Sequence, residues 1–162
     1  MILREFDAID LEPLTTLLGN QQVSKYLSSR MPYPYTQQDA QWWITTGSKQ
    51  GYVRAITQND ELLGCIGVDT GLFEERRSGE LGYWLGQPHW GKGIATAAVT
   101  QITAHMFTHT DLVRLVAPVF APNLASMRVL EKCGYTQEGI ARKACYKDGA
   151  FYDKHIYAKI HP

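Results

Sequence analysis

The most constraining feature of this 162-residue sequence is a strand pattern, Glu80–Leu85, that runs directly into a glycine-rich loop and then into a helix. The loop contains Gly91 and Gly93, and the helical pattern follows over residues 94–107. Glycines let main-chain N–H groups approach an anion, and a helix start adds unpaired donors and partial positive charge. The segment therefore predicts a diphosphate site with Lys92 as a local cation. The alternative is a tight strand-to-helix turn in which the glycines serve geometry alone.

Hydrophobic spacing along the whole chain predicts the order β-α-α-α-β-β-β-α-β-α-β-β. Strands are expected near residues 2–6, 51–57, 62–68, 80–85, 112–119, 135–141 and 151–160, and helices near residues 10–18, 20–27, 37–46, 94–107 and 123–133. Asp10 and Thr36 are predicted N-caps, and Gly134 is predicted to end a helix. This order predicts an α/β fold with a mixed sheet. Because no linker interrupts the pattern, we expect a single domain over residues 1–162.

Composition narrows the classes of partner and compartment. The chain has 16 Lys and Arg against 16 Asp and Glu, so no basic excess favours nucleic acid or a membrane surface. No apolar run approaches the roughly 18 residues of a membrane helix, and the N-terminal residues do not resemble a signal peptide. The three cysteines, at positions 65, 133 and 145, form no CxxC pair. This usage favours a cytoplasmic protein without a disulfide framework.

The glycine loop does not match the two best-known nucleotide motifs. The GxGxxG pattern of dinucleotide-binding proteins fails because Thr96 stands where the third glycine would be. The Gly-Lys-Ser/Thr of a P-loop is absent as well. These departures weaken the dehydrogenase, kinase and NTPase interpretations, although an ATP-binding domain stays open as an alternative.

Four segments, in order, resemble the GNAT N-acetyltransferases. Residues 90–95, Trp-Gly-Lys-Gly-Ile-Ala, resemble the family's pyrophosphate motif, with Trp90 in place of the usual Arg or Gln. Tyr33-Pro-Tyr-Thr36, the helix segment from Asn123 to Tyr135, and Arg142 with residues 147–153 resemble the branch of ribosomal-protein N-terminal acetyltransferases, the RimJ/RimL type. The resemblance covers essentially the whole chain.

The resemblance implies a GNAT fold whose central sheet is splayed between its two middle strands and flanked by helices. Acetyl-CoA would enter the splay as cosubstrate, its pantetheine pairing with a strand edge and its pyrophosphate resting on loop amides. Amides near Leu85 would face the thioester carbonyl. The residues expected to bind acetyl-CoA are Tyr83, Trp84, Leu85, Gly86, Gln87, Trp90, Gly91, Lys92, Gly93, Ile94, Ala95, Thr96, Asn123, Arg128 and Lys132. For Arg128 and Lys132, surface solvation is the alternative role.

Two residues are candidates for proton transfer. Glu80, on the strand before the loop, is the first candidate base, and the alternative is a solvated or salt-bridged strand carboxylate. Many family members use a Tyr as the general acid at the position where this chain has Leu130. Ser126 is therefore the candidate proton donor to the leaving thiolate of CoA. The alternative is that Ser126 is an ordinary hydroxyl near the start of a helix. Tyr33 and Tyr35 are candidates for the substrate pocket.

The sequence thus predicts an acetyl-CoA-dependent N-acetyltransferase that moves an acetyl group directly to a primary amine. A protein N-terminal amine of ribosomal-protein type and a small-molecule amine are both open as acceptors, and a non-catalytic acyl-CoA sensor on the same fold is the alternative from another class. No metal is expected, since the pair His105 and His109 has no third ligand near it in sequence. We expect a cytoplasmic monomer or homodimer with no nucleic-acid or membrane partner.

Overall fold

The computed structural model describes all of residues 1–162, and it contains seven strands and five α-helices in the predicted order. The strands are Ile2–Arg4 (β1), Tyr52–Gln58 (β2), Glu61–Thr70 (β3), Ser78–Leu85 (β4), Arg114–Phe120 (β5), Thr136–Lys147 (β6) and Ala150–Ile160 (β7). The helices are Leu11–Leu18 (α1), Gln21–Ser24 (α2), Gln37–Thr45 (α3), Ile94–His109 (α4) and Leu124–Lys132 (α5). The strands form one sheet in the order β1-β2-β3-β4-β5-β7-β6. The sheet is mixed, because β4 and β5 are parallel whereas β5 and β7 are antiparallel, which confirms the predicted α/β class.

The chain divides into two compact units, of which the first comprises residues 1–68 and 83–98. Its core is apolar and is supplied by α1, α3, the β2–β3 hairpin and the end of β4. The core members include Leu14, Leu18, Ala40, Ile44, Val53, Ala55, Leu62 and Trp84. None of these side chains is more than 9% exposed, so their burial supplies the main free energy that holds the unit together.

The start of α1 differs from the prediction that Asp10 caps it. The side chain of Asp10 makes no cap hydrogen bond to α1. Asp7 instead caps a short 3-10 turn that precedes the helix, and the Asp10 carboxylate accepts from Asp7 N over 3.0 Å within that turn. The carboxylate of Asp10 is 1% exposed and accepts two hydrogen bonds of 2.8 Å from the guanidinium of Arg4. A buried carboxylate needs such a partner to offset its lost hydration. The prediction was wrong because an ion pair six residues away outcompeted a local cap.

β2 and β3 pair antiparallel as a hairpin, and β3 in turn lies close to the end of β4. Its two turn residues, Asn59 and Asp60, have φ values of 51° and 63°, as a type I′ hairpin turn requires. Gly64 of β3 lies so close to β4 that an added Cβ would be 2.1 Å from the Trp84 carbonyl oxygen. The absence of a side chain there lets the two backbones approach.

The second unit comprises residues 69–82 and 99–162. Ile102 of α4, Leu115 of β5 and Leu130 of α5 are fully buried in it. Its polar contacts include a hydrogen bond of 2.8 Å between the buried hydroxyls of Thr103 and Tyr135. Burial raises the pKa of Tyr135 to about 12, so this hydroxyl stays protonated and can act as a donor at neutral pH.

The pairing between β4 and β5 is short. It consists of three parallel pairs, Ser78–Arg114, Gly79–Leu115 and Glu80–Val116, although both strands continue beyond the last pair. On its other side β5 pairs with β7 along its full length, from Arg114 to Phe120. The early end of this ladder fits the splay that the family resemblance implies. None of the helices has both the length and the apolar character needed to cross a membrane.

Candidate active site

The glycine-rich loop of the first unit turns through two left-handed glycines. Gly91 has φ 72° and Gly93 has φ 75°, a region that residues with a Cβ rarely adopt. A Cβ built at either position meets no atom within 4 Å, so the space beside the loop backbone is free. The backbone conformation thus accounts for both glycines, and the space beside them is open.

The main-chain donors of this loop have no acceptor inside the protein. The first helical hydrogen bond of α4 runs from Ala97 N to Gly93 O over 3.1 Å. The amides of the five residues before it in the turn, Gly91–Ala95, donate to no protein acceptor. Such orphan donors at a helix start carry partial positive charge and suit an anion.

Trp90 fastens the loop to the end of β4. Its indole Nε1 donates to the Leu85 carbonyl oxygen over 2.8 Å, and its side chain is 41% exposed. The resemblance placed an Arg or Gln here, and the tryptophan supplies one N–H donor at the same position. This bond closes the segment 86–89 and anchors the residue that directly precedes the loop amides.

The main-chain N–H groups near Leu85 point to opposite edges of β4. Gly86 N donates to Leu63 O of β3 over 2.8 Å, so this amide is committed to the sheet. Successive peptide groups of a strand point to opposite edges. The Leu85 N–H therefore lies on the edge of β4 away from β3, and it is the amide of this pair that can face a ligand. Tyr83 shares that edge with Leu85, whereas Trp84 is turned to β3 and its side chain is buried in the core.

A second contact holds the loop from the opposite side. Asn20 Nδ2 donates to Gln87 Oε1 over 2.6 Å, while its Oδ1 caps α2 by accepting from Gln22 N. Leu17 also packs close to Gly86, where an added Cβ would be 2.5 Å from its Cδ2. Sequence reasoning missed Asn20 because a contact 67 residues away in sequence leaves no local signal.

The electrostatics of the loop suit a diphosphate. Lys92 is exposed and extends from the turn. His89 Nε2, just before the loop, lies 3.9 Å from the Glu61 carboxylate. Ile94 and Thr96 belong to the first turn of α4, with Ala95 between them. Five free amides, two glycines with open space and one lysine are together suited to bind a diphosphate.

In the second unit, Asn123 begins α5 as its N-cap. Its Oδ1 accepts from Ser126 N over 3.2 Å. The cap uses only the oxygen of the carboxamide, and the Nδ2 group has no partner within the protein. Ser126 lies one helical turn into α5 and is half-buried. The structure thus gives Asn123 a structural role that coexists with a donor available to a ligand.

The remaining predicted residues of the second unit are solvent-exposed. Arg128 and Lys132 lie one helical turn apart on α5, and Glu80 lies on β4 with its carboxylate in solvent. Gly82, two residues along β4, is exposed on the same face as Glu80. Leu130, where many family members have Tyr, is 0% exposed and belongs to the core. The Leu130 side chain therefore does not reach solvent.

The two tyrosines expected near the substrate have different environments. Tyr33 is 52% exposed, whereas Tyr35 is 7% exposed and packs in the core of the first unit. Burial, with a smaller contribution from Asp39, raises the pKa of the Tyr35 hydroxyl. Of the pair, only Tyr33 presents its ring to solvent.

Other candidate groups form no centre. His105 and His109 stack with ring centroids 4.4 Å apart, and His109 Nδ1 lies 3.0 Å from the His105 carbonyl oxygen. No group of three or more His, Cys, Asp or Glu side chains could hold a metal ion. None of the three cysteines forms a disulfide, and Cys65 and Cys133 are buried. Burial raises the pKa of Cys65, which keeps that thiol protonated and unreactive.

Comparison with known proteins shows similarity to acetyltransferases. Residues 1–136 match the family described as the acetyltransferase (GNAT) domain. The uncharacterized N-acetyltransferase YoaA of Bacillus subtilis (strain 168) is 30% identical over 100% of this chain and 94% of its own length. The ribosomal-protein-serine acetyltransferase of Escherichia coli (strain K12) is 30% identical over 69% of this chain and 63% of its own.

Among solved structures, one neighbour is RimL, a ribosomal L7/L12 alpha-N-protein acetyltransferase in complex with coenzyme A. Its TM-score is 0.82 at 24% identity, with 98% of this chain and 92% of that chain covered. At 24% identity, this similarity shows that the two proteins share a fold. The RimL structure is itself a complex with coenzyme A.

Proposed function

This chain belongs to the GNAT family of acetyltransferases, and from that premise we propose that it moves an acetyl group from acetyl-CoA directly to a primary amine. GNAT acetyltransferases use acetyl-CoA, which supplies the thioester that the amine attacks. The observation that carries the proposal is the run of unpaired amides at Gly91–Ala95. We treat residues 1–162 as a single catalytic domain.

In the first unit, the loop would bind the pyrophosphate. The amides of Gly91–Ala95 would donate to its oxygens, with the α4 dipole and Lys92 adding attraction. Gln87, Ile94 and Thr96 would line the same turn. The Leu85 N–H points away from β3, and this direction supports a role in donating to the negative charge that develops on the thioester oxygen. Trp90 would act by holding the turn.

Three residues of the second unit and one of the first are proposed to assist. Asn123 would donate its Nδ2 to the pantetheine arm. Arg128 and Lys132 are exposed cations that would meet the 3′-phosphate. Tyr33, in the first unit, would contact the acceptor, and its exposed ring supports this role.

Proton transfer completes the reaction. The amine nitrogen must be neutral to form the new N–C bond, so a base must take its proton. Glu80 would accept that proton, directly or through water, and its exposed carboxylate on β4 supports this role. The C–S bond breaks once the N–C bond has formed, and Ser126 would donate its O–H to the departing thiolate while it takes a replacement proton from solvent. Glu80 would release the amine's proton to solvent, which restores both groups. The products are an acetamide and the free CoA thiol, with no acyl-enzyme.

We propose a protein N-terminal amine as the acceptor. Support comes from the similarity to the ribosomal-protein-serine acetyltransferase, at 30% identity over 69% of this chain. A small-molecule amine is the competing acceptor, and both fit a chain without net charge.

A thiol-release assay over an amine panel tests the proposal. The panel pairs peptides bearing free N-terminal Ser or Ala with N-acetylated controls of the same peptides, and adds spermidine as a small polyamine. We expect turnover with the free peptides alone. Turnover with spermidine alone would show that the acceptor is a small-molecule amine and not a protein N-terminus. Binding of ATP without binding of CoA, measured by calorimetry, would overturn the assignment of the glycine loop to CoA.

A further inference from the structure

Pro118 lies inside β5, with strand residues on both sides of it. Proline has no main-chain N–H, and within sheets it is found where that donor is not needed by a ladder. β5 has β7 along one edge for its full length and β4 along part of the other. The consequence of the proline therefore depends on which edge has lost a donor.

Two hydrogen bonds show which β5 peptide groups face β7. His161 N donates to Val113 O over 2.9 Å, and Ala121 N donates to Asp153 O over 3.0 Å. The register between β5 and β7 is unbroken between these two bonds. Because bonded and non-bonded residues alternate along an antiparallel pair, odd-numbered residues of β5 bond to β7 and even-numbered ones face β4. The donor that Pro118 lacks would have pointed at β4.

The missing donor falls where the β4–β5 ladder stops. The last pair is Glu80–Val116, and Val116 faces β4. The next residue of β5 to face β4 is Pro118, and in a parallel ladder its N–H would bond to the Leu81 carbonyl, one residue before its partner Gly82. That bond cannot form. The ladder ends there although both strands continue.

We propose that Pro118 is a positioning residue for acetyl-CoA: it prevents β5 from pairing with β4 at Leu81 and so keeps that main-chain edge available to an extended, amide-bearing ligand. This inference rests on the proposed function, in which pantetheine is that ligand. A ligand that adds to a sheet edge competes with any strand that can occupy the same edge. A strand of the same chain is present at high effective concentration, so excluding it matters.

The test is to restore the donor with Pro118→Val and Pro118→Ala. Valine favours strands and alanine adds little side-chain volume, so an effect shared by both variants reports the N–H rather than the side chain. Hydrogen exchange by NMR on the ligand-free protein would follow the amide introduced at position 118, and calorimetry would give the Kd for CoA. We expect slow exchange at that amide and a Kd raised about fivefold, the value of one ladder hydrogen bond.

Pro122→Ala is the matched control. It removes a proline from the exposed turn after β5 and so reproduces the general effect of losing one. We expect no change in its Kd. Rapid exchange at position 118, an unchanged Kd in the two Pro118 variants, or a raised Kd in the valine variant alone would each overturn the inference. Failure of the unmodified protein to bind CoA would instead refute the proposed function, and the exchange result would still report whether Pro118 limits the ladder.

Discussion

Two helices of the first unit begin in opposite ways. At α3, Thr36 Oγ1 accepts from Asp39 N over 3.2 Å, and the Asp39 carboxylate accepts from Thr36 N over 2.8 Å. At α4, the amides of Gly91–Ala95 have no acceptor in the protein. Both helices present the same kind of donor. They differ because one start has side chains that can accept and the other has glycine and alanine.

This difference shows how one element of backbone geometry serves two purposes. A side-chain cap stabilises a helix by about 1 kcal/mol, and α4 lacks that contribution. Its donors are instead available to an external anion, while Trp90 and Asn20 hold the turn in place with hydrogen bonds of their own. These two bonds restrain the segment that leads into the free donors, and a restrained segment loses less entropy on binding.

The largest effect is expected from Gly93→Glu. The substitution forces a side chain onto a φ of 75° and brings a carboxylate to the anion site, while the space there means that no packing is lost. We expect CoA affinity, measured by calorimetry, to fall at least about hundredfold, since one added charge in such a site costs several kcal/mol.

Gly149→Glu provides the control for this change. Gly149 has φ 79°, and a Cβ there also meets nothing within 4 Å, but it lies in the β6–β7 turn. Both variants carry the same backbone strain and the same charge. A loss of affinity that is equal in the two would show that strain, and not the anion site, is responsible.

A smaller effect is expected from Trp90→Phe. The change keeps an aromatic ring but removes the indole N–H that holds the Leu85 carbonyl. We expect the KM for acetyl-CoA to rise about fivefold, because the free amides would keep their chemistry but lose their fixed positions. Trp42→Phe, at an exposed tryptophan of α3, is the control, and an equal rise there would contradict a specific role for Trp90.

The comparison also shows what the sequence could predict. The N-cap at Thr36 and the glycine turn before α4 were both predicted, because each depends on residues within a few positions of one another. The order of strands and helices followed from hydrophobic spacing for the same reason. Local chemistry and periodicity thus identified the fold and the loop.

The sequence predictions that the structure contradicts all involve contacts between residues farther apart along the chain. Asp10 was assigned to a cap but is bound by Arg4. Tyr35 was expected in a substrate pocket but lies in the core, and the Gly86 amide is bound by Leu63. In each of these cases a partner elsewhere in the chain decides the outcome, and such pairings are not encoded in local spacing.

Asn123 begins a third helix, which combines the two behaviours and predicts a separable effect. Asn123→Asp keeps the oxygen that caps α5 and removes the Nδ2 donor, whereas Asn123→Ala removes both. We expect a KM for acetyl-CoA about threefold higher in both variants, and a loss of about 1 kcal/mol in unfolding free energy for alanine alone. Urea denaturation beside steady-state kinetics measures the two effects. An aspartate variant with an unchanged KM would leave the residue with its capping role only.

The smallest effect on catalysis is expected from Thr36→Ala, which opens the start of α3. The Asp39 amide loses its acceptor, so the unfolding free energy should fall by about 1 kcal/mol and the Tm by about 2–4 °C. The KM for acetyl-CoA should not change, because unsatisfied amides at α3 have neither the left-handed glycines nor the lysine that accompany those of α4. A raised KM with an unchanged Tm would reverse the assignment, since it would place ligand binding at the capped helix and leave the cap without a structural role.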